Sequence, residues 1–260
     1  MISLNAQSTT RVDSAKDTST VAANGKINIL VVPWYPKMFN ASSDITKAIS
    51  ANTGENYKQI QESLRKGMCE QVKKTFGAKY NVISFLDDTA KTNIDLYYTY
   101  DVTRTEYIPV NSPLNPVENQ KKTLKDAASG STTGIKNGEV QVDMQEGEKF
   151  MNTIVVSPNL LPHLKKNYKC EYVIFLNQLD LQNDLGSDPY NTQGTTDFKR
   201  LAVLHWTIYS TRTGKRVAMG KNKAQYANTV NTTRKIIDGA FVTLSKAVFD
   251  KFTAAITPKK

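Results

Sequence analysis

Alternation of apolar and polar residues is longest in the C-terminal third. Ala202, Leu204, Trp206 and Ile208 fall on one side of an extended chain, and Leu201, Val203, His205, Thr207 and Tyr209 on the other, because successive strand side chains point to opposite faces. Thr211-Arg212-Thr213-Gly214-Lys215 has turn composition and precedes a second β-rich run. The pattern predicts strands over 201–209 and 216–226, joined as a hairpin, with the Ala202 set toward the core. On this alternation Lys221 and Lys223 share one face and Arg216 takes the opposite one.

Near the start, Ile27-Asn28-Ile29-Leu30-Val31-Val32 is a β-rich apolar run stopped by Pro33 and Pro36, with Trp34 and Tyr35 at its exit. It reads as a central strand. A short helix is expected near 44–50. Tyr57, Ile60, Leu64, Met68, Val72 and Phe76 then recur at steps of three and four, which predicts an amphipathic helix from Glu55 to Phe76. Gly77 suits a left-handed cap after it. Tyr80–Leu86 is the next strand. Strand, helix, strand implies a β-α-β crossover with parallel pairing.

Between 87 and 157 the signals are weaker. Asn93–Asp101 reads as a helix, Tyr107–Val110 as extended, 119–139 as a polar loop, and Val140 with Val142 as a short edge strand. Order returns at Pro158 with a short helix to Tyr168, in which Pro162 fits only the first turn. A strand over 170–181, a turn-rich 185–197, the hairpin and a helix over 232–256 complete the chain. Ile237, Phe241, Leu244, Val248 and Phe252 stripe that helix. The expected fold is α/β with an α+β tendency: a mixed sheet with a β-α-β start, a C-terminal antiparallel hairpin and a closing helix. Residues 1–25 read as a leader, and 26–260 as one domain with an insertion at about 87–157. The semi-apolar Leu201–Tyr209 face needs cover, from the 111–157 insertion or from a partner.

Charge sharpens the C-terminal picture. From Lys199 to Lys260 there are 13 Lys/Arg against Asp238 and Asp250, a net +11, so within a chain of +10 residues 1–198 carry −1. Arg212, Lys215, Arg216, Lys221, Lys223, Arg234 and Lys235 are the candidate contact residues for an anionic partner. A content of 39% hydrophobic and 22% charged residues is that of a folded protein rather than a disordered chain. No apolar run is long enough for a membrane-spanning helix. Met1–Ala6 matches the end of a secretory signal peptide, with Leu4 and Ala6 before a cleavage at Gln7, and 8–25 is a polar leader. Cys69 and Cys170 fall in core elements, as buried thiols or as one disulfide if the chain is exported.

Catalytic and metal signatures are sparse. His163 and His205 are the two histidines, and no zinc spacing accompanies the cysteines. Asp180, Asp184 and Asp188 suggest an acidic loop, but Leu185 and Asn191 stand where a calcium loop needs Gly and Glu. Gly130–Gly134 is neither a nucleophile elbow nor a phosphate loop. Asp87 and Asp88 end a strand, where carboxylates serve α/β enzymes and also cap turns. No metal and no cofactor is expected.

The element order and three local motifs resemble a family of bacterial envelope proteins. Its members include the curli secretion channel, lipoprotein activators of penicillin-binding proteins, and the amino-terminal domain of the Tol translocation protein. The motifs here are Val31-Val32-Pro33-Trp34, Lys169-Cys170-Glu171-Tyr172 and the Thr213-Gly214 turn, over about residues 26–86 and 158–256. Composition and leader are also similar to those of exported proteins of Bacteroidetes-type bacteria. The resemblance implies a non-catalytic exported domain, periplasmic or outer-membrane-associated, that docks on envelope proteins. An anionic glycan or lipid surface is the other partner expected, and a homo-oligomer stays open. The alternatives are a hydrolase-type enzyme with its site near Asp87 and Asp88, and a nucleic-acid binder using the basic hairpin. Export would make nucleic acid an unlikely partner.

Overall fold

The computed structural model describes residues 25–109, 149–184 and 198–257, with the strand backbone of 134–136 and 139–141. The elements are β1 (Asn28–Val32), β2 (Phe39–Ala41), α1 (Ser43–Thr53), α2 (Tyr57–Phe76), β3 (Asn81–Ser84), α3 (Thr89–Asp101), β4 (Thr103–Pro109), β5 (Gly134–Lys136), β6 (Glu139–Gln141), β7 (Lys149–Val155), α4 (Leu160–Tyr168), β8 (Cys170–Asp184), β9 (Lys199–Ser210), β10 (Arg216–Ala227), α5 (Thr233–Asp238) and α6 (Ala240–Ile256). The leader, the Gly130–Gly134 loop except Gly134, Val142, Asp188 and 185–197 lie outside the described residues.

The fold is α/β, built on a mixed sheet in the order β10-β9-β8-β1-β3, with β2 added beside β8. β1 pairs parallel with β3 and with β8, and β8, β9 and β10 run antiparallel. The expected β-α-β start and the closing hairpin are both present. β1 is buried along its whole length, as a strand covered on both faces must be.

One face carries α1, α2, α5 and α6 over Ile29, Ile174, Leu204, Trp206 and Ile208. α2 begins with a reciprocal cap: the Asn56 side chain accepts the Gln59 amide at 3.0 Å, and the Gln59 side chain accepts the Asn56 amide at 2.9 Å. Such a cap contributes about 1 kcal/mol. The other face carries α3 and α4 over Leu30, Phe85, Val173 and Phe175. It also carries the β4–β7 ribbon, which buries Ile108 and Phe150 with Met219. That ribbon supplies the cover the second face required, with β7 from the expected 111–157 segment and β4 from before it: Val203, His205, Thr207 and Tyr209 are all buried. β7 itself had no sequence signal.

Three expectations are corrected. Gly77 is right-handed (φ −59°, ψ −20°), because the chain winds on and both Lys79 and Tyr80 donate to the Phe76 carbonyl; the left-handed cap is Gly54 after α1 (φ 74°). The 232–256 helix is two helices, broken at Gly239 (φ −113°, ψ −84°). Arg216 shares the face of Lys221 and Lys223, because a bulge at Val217 shifts the register between Arg216 and Ala218. Of the two readings of the cysteines, buried thiols hold: Cys69 and Cys170 are free, one in each face's core, with the sheet between them.

Candidate functional site

Between the sheet and the ribbon lies a buried polar seam. A second bulge, in β8 between Leu176 and Gln178, turns Asn177 and Gln178 toward the ribbon together. The Asn177 amide donates to the Met151 carbonyl (2.7 Å) and to Thr207 Oγ1 (2.8 Å), and its oxygen accepts from Thr153 Oγ1 (2.7 Å). Tyr209 donates to the Thr153 carbonyl at 3.0 Å. His205 Nδ1 accepts the Met151 amide at 2.8 Å, which places the ring proton on Nε2, 3.1 Å from Asp180. Burial pushes the Asp180 carboxyl up, and hydrogen bonds from His205, Asn40 and Gln178 outweigh it, so the group stays below its ordinary value. His205 is therefore a packed histidine, and Asp180 its anchor.

Beyond the carboxyl end of β1, two adjoining cavities open. One, of about 230 Å³, lies between Val32, Tyr35, Tyr100, Thr103, Thr153 and Asn177. The other, of about 450 Å³, lies between α2 and α3 and is lined by Tyr35, Lys37, Glu62, Arg65, Asn93 and Tyr97 among others. Tyr35 and Tyr100 border both, their rings edge to face at 5.1 Å. Because α2 and α3 cover opposite sheet faces, this is the crevice outside the strand ends where open α/β sheets take ligands.

Arg65 holds the crevice together. It is 6% exposed, and its Nε donates to the Trp34 carbonyl at 2.8 Å while Nη2 reaches Tyr100 Oη at 2.7 Å. Nη1 stands 3.4 Å from Glu62. Tyr100 in turn donates to the Pro33 carbonyl at 2.8 Å, and burial pushes its hydroxyl well above the ordinary tyrosine range. The phenol thus stays neutral and serves as a strut.

The carboxylates at the end of β3 have structural partners. Asp87 accepts the Ser84 amide at 2.9 Å and pairs with Lys73 at 2.5 Å. Asp88 pairs with Lys91 on the surface at 2.9 Å. A small pocket of about 230 Å³ there contains Cys69, Ser84 and Asp87, but burial pushes the Cys69 thiol up to about 12, which removes its nucleophilic form. Among the described residues, no group of three His, Cys, Asp or Glu side chains is placed to hold a metal ion.

The basic residues form no single cluster. Arg212 and Lys215 are exposed at the β9–β10 turn, where Gly214 is left-handed (φ 67°) and Arg212 lies 3.5 Å from Glu171. Arg216 reaches Asn152 at 3.2 Å, and Lys221 donates to the Lys149 carbonyl at 2.9 Å, so both fasten β10 to the ribbon. Lys223 is exposed on the same edge strand. Arg234 and Lys235 are exposed on α5, with Arg234 paired to Asp238 at 2.6 Å. The strand between the turn and α5 spans roughly 36 Å at about 3.3 Å per residue, so the two groups are separate surfaces.

Nothing in the sequence pointed to Arg65, Tyr97 or Tyr100. Val32 and Pro33, which line the smaller cavity, belong to the Val31–Trp34 motif, and Tyr35 directly follows it.

No family model matches the sequence, and no curated protein matches it. Among solved structures, the chain is similar to a hypothetical protein of Chlamydia trachomatis, with 9% identity and a TM-score of 0.36 over 89% of this chain and 95% of that one. It is also similar to a lipoprotein of Neisseria meningitidis, with 10% identity and a TM-score of 0.30 over 88% of this chain and 99% of that one. Likenesses this distant do not bear on activity. Among the described residues, no helix is long and apolar enough to cross a membrane.

Proposed function

We propose that this chain is a non-catalytic, exported binding protein of the bacterial envelope, which meets an anionic partner through the tip of its basic hairpin. The observation that carries this reading is the charge asymmetry: a net +11 from Lys199 onward against −1 before it, with Arg212 and Lys215 exposed at the turn. An exposed pair of like charges at the tip, within a C-terminal region of one sign, speeds and orients encounter with an opposite charge. The hydrolase alternative is weakened by the assignment of Asp87 and Asp88 to turn and surface pairing.

In-cell crosslinking in the native host tests the reading. The parent chain is expected to crosslink to an envelope component, and Arg212→Glu with Lys215→Glu to lose that product. Lys246→Glu, an exposed charge change on α6, is expected to keep it. Crosslinks to nucleic acid alone, or equal crosslinking by both variants, would sink the proposal.

A further inference from the structure

The crevice at the end of β1 stands where open α/β sheets take ligands, and its larger cavity, about 450 Å³, has the size of a small-molecule site, roughly 300–1,000 Å³. Charge narrows the ligand first. The charged side chains lining the two cavities are Lys37 and Arg65 against Glu62 and Asp101, which cancel. Arg65 is already engaged by the Trp34 carbonyl and Tyr100, with Glu62 beside it. A phosphate in such a crevice is seated by a glycine-rich turn at a helix N-terminus. Here the helix is α3, and Leu86-Asp87-Asp88 before it carries two carboxylates and no glycine. The lining therefore suits a ligand without net charge.

The remaining polar groups work in both senses. Thr89, Asn93 and Tyr97 follow at steps of four on α3, so they line one side of the helix. A hydroxyl or an amide both donates and accepts. Lys37 adds a donor and Glu62 an acceptor. The side chains of Lys37, Thr89, Asn93 and Tyr97 have no hydrogen-bond or ion-pair partner among the described residues. Aromatic rings accompany them: Tyr97 is 62% exposed and Tyr35 40%, beside Tyr100. A saccharide matches all three properties. It is neutral, its hydroxyls each donate and accept, and its C–H groups pack against the negative face of an aromatic ring. An apolar ligand would bury these polar groups unpaired. An extended peptide docks best on a free strand edge, and β1, whose end opens the crevice, is paired on both sides.

We propose that this crevice binds a neutral saccharide, packed on Tyr35 and Tyr97 and hydrogen-bonded by Lys37, Thr89 and Asn93. The inference goes beyond the hairpin reading, and either can fail alone.

A glycan array carrying neutral and acidic saccharides tests it on the full chain, followed by calorimetric titration with the neutral saccharide that gives the strongest signal. The parent chain is expected to bind neutral saccharides on the array and to be saturated in the titration. Tyr97→Ala and Asn93→Ala, both exposed on α3, are expected to weaken that saccharide about tenfold with unchanged circular dichroism. Arg212→Glu with Lys215→Glu, at the hairpin tip, is expected to keep the parental affinity. No binding on the array, binding confined to acidic saccharides, or parental affinity in either α3 variant would overturn the proposal. Loss of binding in the hairpin variant would place the site elsewhere and overturn it as well.

Discussion

His205 and the backbone of Met151 are joined across two layers: the imidazole Nδ1 of β9 accepts the amide N–H of β7 at 2.8 Å. The ring's other nitrogen reaches Asp180. His205→Phe keeps the ring volume and removes both bonds, leaving a buried amide without its partner and the half-buried Asp180 carboxylate with one partner fewer. Its expected cost is about 1–3 kcal/mol, read as a lower urea midpoint with an unchanged slope. A midpoint equal to the parent's would show the seam to be dispensable.

Asp95 predicts how stability responds to acid. Burial pushes its carboxyl up, and hydrogen bonds from His163, Tyr168 and Asn167 more than offset this, so its folded value lies below the unfolded one. A depressed carboxylate adds stability above its unfolded value, about 3.9, that is lost as pH falls through the folded one. Asp95→Asn should therefore be less stable than the parent at neutral pH, and the gap should close in acid. A gap that held constant down to about pH 2 would contradict the assignment.

Gly67 and Ile237 meet where α2 crosses α5. A Cβ on Gly67 would lie 2.3 Å from Ile237 Cδ1 and 2.6 Å from Cγ1. Helix propensity favours Gly67→Ala by about 1 kcal/mol, while overpacking costs about 1–3 kcal/mol. The substitution is expected to destabilise the parent, yet to stabilise an Ile237→Ala background by about 0.5–1 kcal/mol. The same sign in both backgrounds would rule out the contact as the cause.

Both cysteines should be silent in the native state. Burial pushes each thiol up to about 12, so almost no thiolate exists at neutral pH. Ellman's reagent is expected to label neither Cys69 nor Cys170 in buffer, and both in urea. Rapid native labelling of either would show that its core opens.

Much of the architecture was legible because periodicity reports burial. The α2 stripe and the β9 alternation each face a core, so Ile60, Leu64, Leu204 and Trp206 were placed correctly. β7 was not legible because its buried residues include Asn152 and Thr153, which read as polar surface until their partners on β8 and β9 are known. The bulges at Asn177 and Val217 break the period of two without any local marker. The helix break needed only Gly239, but glycine alone does not separate a break from a tolerated helical residue. The crevice joins Tyr35, Arg65 and Tyr100, which are neighbours only after the β-α-β unit has folded. The hairpin was read correctly as a turn, and its charges prove to be divided between the tip, the ribbon and α5.

The seam beneath the ribbon has one further consequence. An oily contact tolerates sliding, since one methyl group serves much like another. Here Asn177, Thr153, Thr207 and His205 each have a directed bond to keep, and a shift of β7 along the sheet would break them together. The ribbon is therefore keyed to a single position, and it fixes the wall that Thr103 and Thr153 give to the smaller cavity.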